Sequence, residues 1–100
     1  MQYAIAVIRY RRPFEQVSSH LEAHRAYLQQ LKQKGELLVS GPCDPRTQGV
    51  LLLRFPDEVD INRELDRVRE GDPYTKAGVA QYELLVWNPL TGRESLDQIH

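Results

Sequence analysis

Two histidines, His20 and His24, lie four residues apart in a segment with helical patterning. That spacing puts them on one side of a helix and suits a metal ion, but a protein metal site normally needs a third ligand. The stretch His20-Leu21-Glu22-Ala23-His24 is not the metalloprotease His-Glu-x-x-His, because its glutamate comes one position too late. No metal is therefore expected, and His20 reads as a surface residue. His24 is different. Phe14, Val17, Leu21, Leu28 and Leu31 recur at alternating spacings of three and four, and position 24 is the member of that series occupied by an ionisable group. A histidine on an apolar helix face is more often a hydrogen-bonded core residue than a catalyst. Its ring nevertheless titrates near neutral pH, so a carboxylate holding one nitrogen leaves the other to move protons.

Two further stretches combine polar groups with special backbone chemistry. Ser40-Gly41-Pro42 follows a short apolar run, and Asp72-Pro73-Tyr74 precedes Thr75-Lys76-Ala77-Gly78. Sites are often built on such loops at the ends of regular elements. Asp72 reads locally as the N-cap of a one- or two-turn helix, with Pro73 at the first helical position and Gly78 as C-cap. It is also the candidate carboxylate for His24. Both roles stand, one oxygen for each. Cys43, the single cysteine, reads as a small, partly buried residue. Glycine-rich phosphate loops and a Gly-x-Ser-x-Gly elbow are absent.

The elements that must position these residues follow from periodicity. Tyr3–Ile8 reads as a strand apolar on both faces. After Pro13 a helix is expected from Phe14 or Val17 to Lys34, with Gly35 closing it. Leu37-Leu38-Val39 is a second strand ended by Ser40-Gly41-Pro42, and Val50–Phe55 a third, paired with it as a hairpin across a turn-rich loop. Pro56 and Asp57 open a second helix, about Glu58 to Arg69, and Val79–Trp87 is the fourth strand. Residues 89–100 form a polar tail. The order strand, helix, strand, strand, helix, strand predicts an α+β, ferredoxin-like βαββαβ fold with a four-stranded antiparallel sheet. Helices cover one face. The other face is also apolar in strands one, three and four. Each leucine-sized side chain left exposed there forgoes about 1.5–3 kcal/mol, so a homodimer packing through the sheet face is expected.

Composition narrows the classes. One hundred residues make one domain, and 41% apolar with 27% charged residues suits a folded globule. A net charge of -1 gives no global attraction for nucleic acid or an anionic membrane. The apolar N-terminus is too short for a signal peptide, and no segment has the length of a membrane span. A lone thiol excludes an internal disulfide and favours the cytoplasm.

In order, His24 in its helix, Gly35-x-Leu37, Ser40-Gly41-Pro42, Asp72-Pro73-Tyr74 and Ala77-Gly78-Val79 resemble the YCII-related domain family, from Tyr3 to about Trp87. The domain is thus placed at residues 1–88. The resemblance implies the dimeric α+β barrel form of the ferredoxin-like fold. It also implies an active-site His–Asp pair in a cleft, at His24 and Asp72; Ser40, Gly41, Pro42 and Tyr74 are the candidate substrate-binding positions beside that pair. One relative is a dehydrochlorinase acting on a chlorinated hydroxyquinol, and related barrels include muconolactone isomerase. The chain departs from the family pattern in a short loop between strands two and three and in Cys43, where an apolar residue is common.

The resulting expectation is a small cofactor-independent enzyme of lyase, isomerase or hydrolase type. His24 and Asp72 would transfer a proton on a small anionic or phenolic molecule, with backbone near Ser40 and Gly41 facing an oxyanion. The alternative is a non-catalytic ligand-binding or accessory module using the same cleft. A weaker third reading, by analogy with other dimeric barrels, is cofactor-free oxidation or haem handling.

Overall fold

A computed structural model describes residues 1–99. The sheet contains β1 (Gln2–Tyr10), β2 (Leu37–Pro42), β3 (Gln48–Phe55) and β4 (Ala80–Trp87) in the order β2-β3-β1-β4. All its pairings are antiparallel. Helices α1 (Phe14–Val17), α2 (Leu21–Gln33), α3 (Ile61–Gly71) and α4 (Pro73–Lys76) complete the βαββαβ arrangement, and α5 (Arg93–Asp97) follows β4. This is the expected ferredoxin-like α+β fold. Among the described residues, no helix is long and apolar enough to cross a membrane.

Strand alternation sorts the sheet into two faces. Ala4, Ala6 and Ile8 of β1 lie beside Leu53 and Leu51 of β3 and Leu84 and Tyr82 of β4, and this face packs on Val17, Leu31, Leu65 and Val68 of the helices. On the opposite face Ile5, Val7 and Leu52 are only half-buried, and Val39, Leu85 and Trp87 are exposed. That face is polar at its far end, where Arg9 bonds Glu83 and Gln48. Its other end is covered by the C-terminal segment. The Tyr3 hydroxyl donates to Asp97, and the Arg54 guanidinium donates to the Leu96 carbonyl. The polar tail thus carries a short helix folded back onto the sheet.

The three largest departures from the sequence expectation each have a local reason. The first helix is not continuous, since Ser18–His20 form a 3₁₀ turn between α1 and α2. The Ser18 and Ser19 hydroxyls donate back to the Glu15 and Gln16 carbonyls, competing with the helical ladder. The second helix begins at Ile61, because Asp60 is the residue whose carboxylate caps it, accepting from the N–H groups of Asn62 and Arg63. Strand β2 runs on through Ser40, Gly41 and Pro42, opposite Leu51, Val50 and Gly49. An edge strand tolerates proline because one row of its N–H groups needs no ladder partner. A bulge between Leu37 and Val39 buries Leu38 and turns Val39 to the open face.

Gly35, at φ 78°, ends α2 in a Schellman turn, with the Glu36 N–H bonded to the Leu31 carbonyl. Gly71 is held for a different reason. A Cβ there would lie 2.5 Å from the Tyr27 hydroxyl, which donates to the Val68 carbonyl at 2.8 Å. Tyr27 of α2 therefore lies across the end of α3 and sets the spacing of the two helices just before Asp72. Gly71→Ala is expected to cost about 1–3 kcal/mol by displacing Tyr27, read as a lower urea midpoint with an unchanged m-value.

Candidate active site

Asp72 is wholly buried at the start of α4. The following proline biases it to extended backbone, and its φ of -73° and ψ of 127° fit that bias. In this conformation one oxygen, Oδ1, caps α4 by accepting the Tyr74 N–H at 2.9 Å. Both oxygens also lie 2.9 Å from Nδ1 of His24, forty-eight residues earlier on α2. Oδ2 accepts in addition from the Tyr82 hydroxyl of β4. The two roles read for Asp72 thus coexist on one carboxylate, with a third partner from the sheet.

His24 is 7% exposed, on the inner side of α2 with Leu31. Nδ1 faces a carboxylate that can only accept, so the proton of that contact sits on Nδ1. Nε2 makes no hydrogen bond among the described residues, and the ring lines a cleft of about 200 Å³. The Tyr74 ring stacks on the imidazole with centroids 3.9 Å apart and planes 6° from parallel. Asp72 below and Tyr74 alongside hold the ring in one orientation.

The cleft lies between α2 and the end of the sheet. Its apolar wall comes from Leu21 and Leu28 of α2 and Ile8 and Leu51 of the strands. Ser40, Gly41 and Pro42 line it as part of edge strand β2, so these residues form a wall and not a free loop. Arg25 and Arg46, both exposed, supply positive charge at its rim. Arg46 rests over the Phe14 ring with its guanidinium carbon 4.6 Å from the centroid. All six positions singled out in the sequence meet here: five line the cleft, and Asp72 backs His24. His20 is half-buried at the 3₁₀ turn and does not line the cleft. Among the described residues no three His, Cys, Asp or Glu side chains come together to hold a metal ion.

Sequence reading missed Tyr82 and the two arginines. Tyr82 alternates with Ala80 and Leu84 on the helix-facing side of β4, the pattern of an ordinary core tyrosine. A buried tyrosine, however, needs a partner for its hydroxyl, and that requirement was the available signal. The arginines are exposed residues of a helix and a loop, and only the fold brings them together.

Burial raises the phenol of Tyr82 above its ordinary value, and the charge and hydrogen bond of Asp72 add to the rise. Burial, Tyr10 and Asp72 push Tyr74 up from 10.0 to about 12, against the opposing pull of Arg46 and Arg25. A folded-state pKa above the unfolded value contributes stability below the unfolded pKa and loses it as pH rises through the folded one. Stability is therefore expected to fall from about pH 10 towards 12, where the unfolded chain ionises both tyrosines while the fold still holds them protonated. Tyr82→Phe should flatten that alkaline loss. At neutral pH it should cost about 1.5–3 kcal/mol, for one hydrogen bond to a buried charge. Denaturant melts of both proteins across that range provide the check.

Comparison with known proteins agrees with this architecture. The family model of the YCII-related domain matches residues 1–88. No curated protein sequence matches the chain. Among solved structures, the chain is similar to the 5-chloro-2-hydroxyhydroquinone dehydrochlorinase of Burkholderia phenoliruptrix, determined in complex with 2,5-dihydroxybenzoquinone. The TM-score is 0.65 at 26% sequence identity, over 85% of this chain and 93% of that one. The sequence match over most of its length and the shared fold place this chain in the YCII-related domain family.

Proposed function

We propose that the protein is a small cofactor-independent enzyme that transfers a proton on a small anionic or phenolic molecule, with His24 as general acid–base. The observation that carries this reading is the His24–Asp72 contact, with Nδ1 tied to a buried carboxylate and Nε2 left without a partner among the described residues, beside a cleft. In the proposed step Nε2 takes a proton from the substrate, and Asp72 stabilises the imidazolium that results. The same nitrogen then returns the proton to another position or to a leaving group. Ser40, Gly41 and Pro42 shape the cleft, and Tyr74 fixes the ring. The similar dehydrochlorinase, solved with a dihydroxybenzoquinone, supports a small oxygenated ring as the class of substrate.

Proton-transfer assays on chlorinated hydroxyquinols and related phenols test the reading. His24→Ala is expected to lower kcat/KM by roughly 10²–10⁴-fold, the range for a general acid–base group, while ligand binding persists. Asp72→Asn keeps an oxygen for the cap but loses the charge, so turnover should fall further than stability. Asp72→Ala should lose both. A His24→Ala rate equal to that of the parent rules out the assigned base. Binding without turnover in every assay favours the accessory-module reading.

A second copy is proposed to cover the open sheet face. Val39, Leu85 and Trp87 are 59%, 47% and 40% exposed there, beside half-buried Ile5, Val7 and Leu52. Sedimentation equilibrium is expected to give twice the chain mass, and Leu85→Glu should shift it towards the monomer. A monomeric parent protein would rule out this assembly.

A further inference from the structure

We propose that the Tyr74 hydroxyl is the donor that receives an oxyanion of the substrate, so that the cleft takes a small carboxylate or phenolate in preference to its neutral analogue. The inference rests on reading this cleft as the substrate site and assigns the group that recognises charge within it.

Tyr74 is 1% exposed, and its hydroxyl has no hydrogen-bond partner among the described residues. Buried tyrosine hydroxyls usually find a partner. The ring cannot easily turn to seek one. One face stacks on His24 at 3.9 Å, and the ring meets Tyr10 edge-on at 6.1 Å. Its backbone N–H is fixed on Asp72. The hydroxyl is thus a fixed donor without an acceptor on a residue that lines the cleft, and a ligand oxygen that reached it would offset its desolvation.

The surroundings decide which acceptor. The cations that act on this hydroxyl are Arg46 and Arg25, and both line the cleft. Neither forms an ion pair among the described residues. Arg46 is kept near the cleft by the Phe14 ring and not by a carboxylate. Because burial holds the phenol protonated up to about pH 12, it donates throughout the neutral range. A protonated donor beside two unpaired guanidinium groups matches an acceptor that carries negative charge. A neutral ligand would leave the arginines without a partner. The donor also lies on the ring stacked against the proposed base, so negative charge left on the substrate after proton removal forms beside it.

Titrations followed by the amide NMR shifts of cleft residues test the proposal, with 4-nitrophenolate and benzoate as the two anionic probes and benzamide as the neutral one. Tyr74→Phe is expected to weaken whichever anion binds by about tenfold or more, the worth of one charge-assisted hydrogen bond, and to leave benzamide nearly unchanged. Arg46→Gln should weaken the same anion and remove most of the salt dependence of its binding. The Tm of Tyr74→Phe should equal or exceed that of the parent, because the substitution deletes a hydroxyl without a partner. Anion affinity unchanged in Tyr74→Phe overturns the proposal, and a lowered Tm alongside it would make the hydroxyl a structural group bonded to buried water. Benzamide binding as well as benzoate, with both sensitive to His24→Ala, overturns charge recognition while the cleft stands. Probes that shift no cleft residue in the parent protein overturn the cleft reading itself.

Discussion

The constraint on which the rest of the structure depends is the complete burial of one carboxylate. An ionised group taken out of water must be paired and hydrogen-bonded, or folding is strongly disfavoured. Asp72 meets that requirement through an imidazole on α2, a backbone N–H of α4 and a phenol on β4. Those partners come from three elements, α2 forty-eight residues upstream and the adjoining α4 and β4, so satisfying the charge fixes how the elements meet. Neighbouring residues serve the same end. Pro73 biases the backbone of Asp72, Gly71 leaves room for Tyr27 to brace the two helices, and Tyr74 closes the side of the imidazole.

The sheet divides its work between its faces. The helix-facing side is a closed apolar core of small and branched residues, and the cleft opens only at its end, where α2 meets edge strand β2. An edge strand suits that place because Ser40, Gly41 and Pro42 can form a wall with one side of their backbone unpaired. On the opposite side an apolar band lies between the Arg9–Glu83 pair and the C-terminal segment. The polar margins confine the sticky surface to the middle of the sheet.

Much of the site was legible because it breaks local rules. His24 interrupts an apolar helical series, and Asp72-Pro73 is a cap whose side chain need not spend both oxygens locally. The succession of elements along the chain followed from apolar periodicity and turn residues. What was not legible depends on contacts between elements. Tyr82 looks like any core tyrosine until its hydroxyl is seen on Asp72. Arg25 and Arg46 are ordinary charges until the β2–β3 hairpin brings one towards the other. The 3₁₀ turn depends on two serine hydroxyls choosing backbone carbonyls, and the start of α3 on Asp60 accepting the N–H groups of Asn62 and Arg63. Such competitions are decided by fractions of the energy of one hydrogen bond, which residue types alone do not resolve.

The double duty of Asp72 has a consequence for reading related chains. On the proposed mechanism, a descendant that had abandoned the reaction would still need the cap and the partner for Tyr82, so the aspartate would be retained by folding alone. Its presence marks a stable helix start and carries little information about activity. On that mechanism His24 is the more informative position, although an apolar side chain there would leave the buried carboxylate only the Tyr74 N–H and the Tyr82 hydroxyl. In the same scheme the histidine reports chiefly function, whereas its carboxylate reports function and fold together.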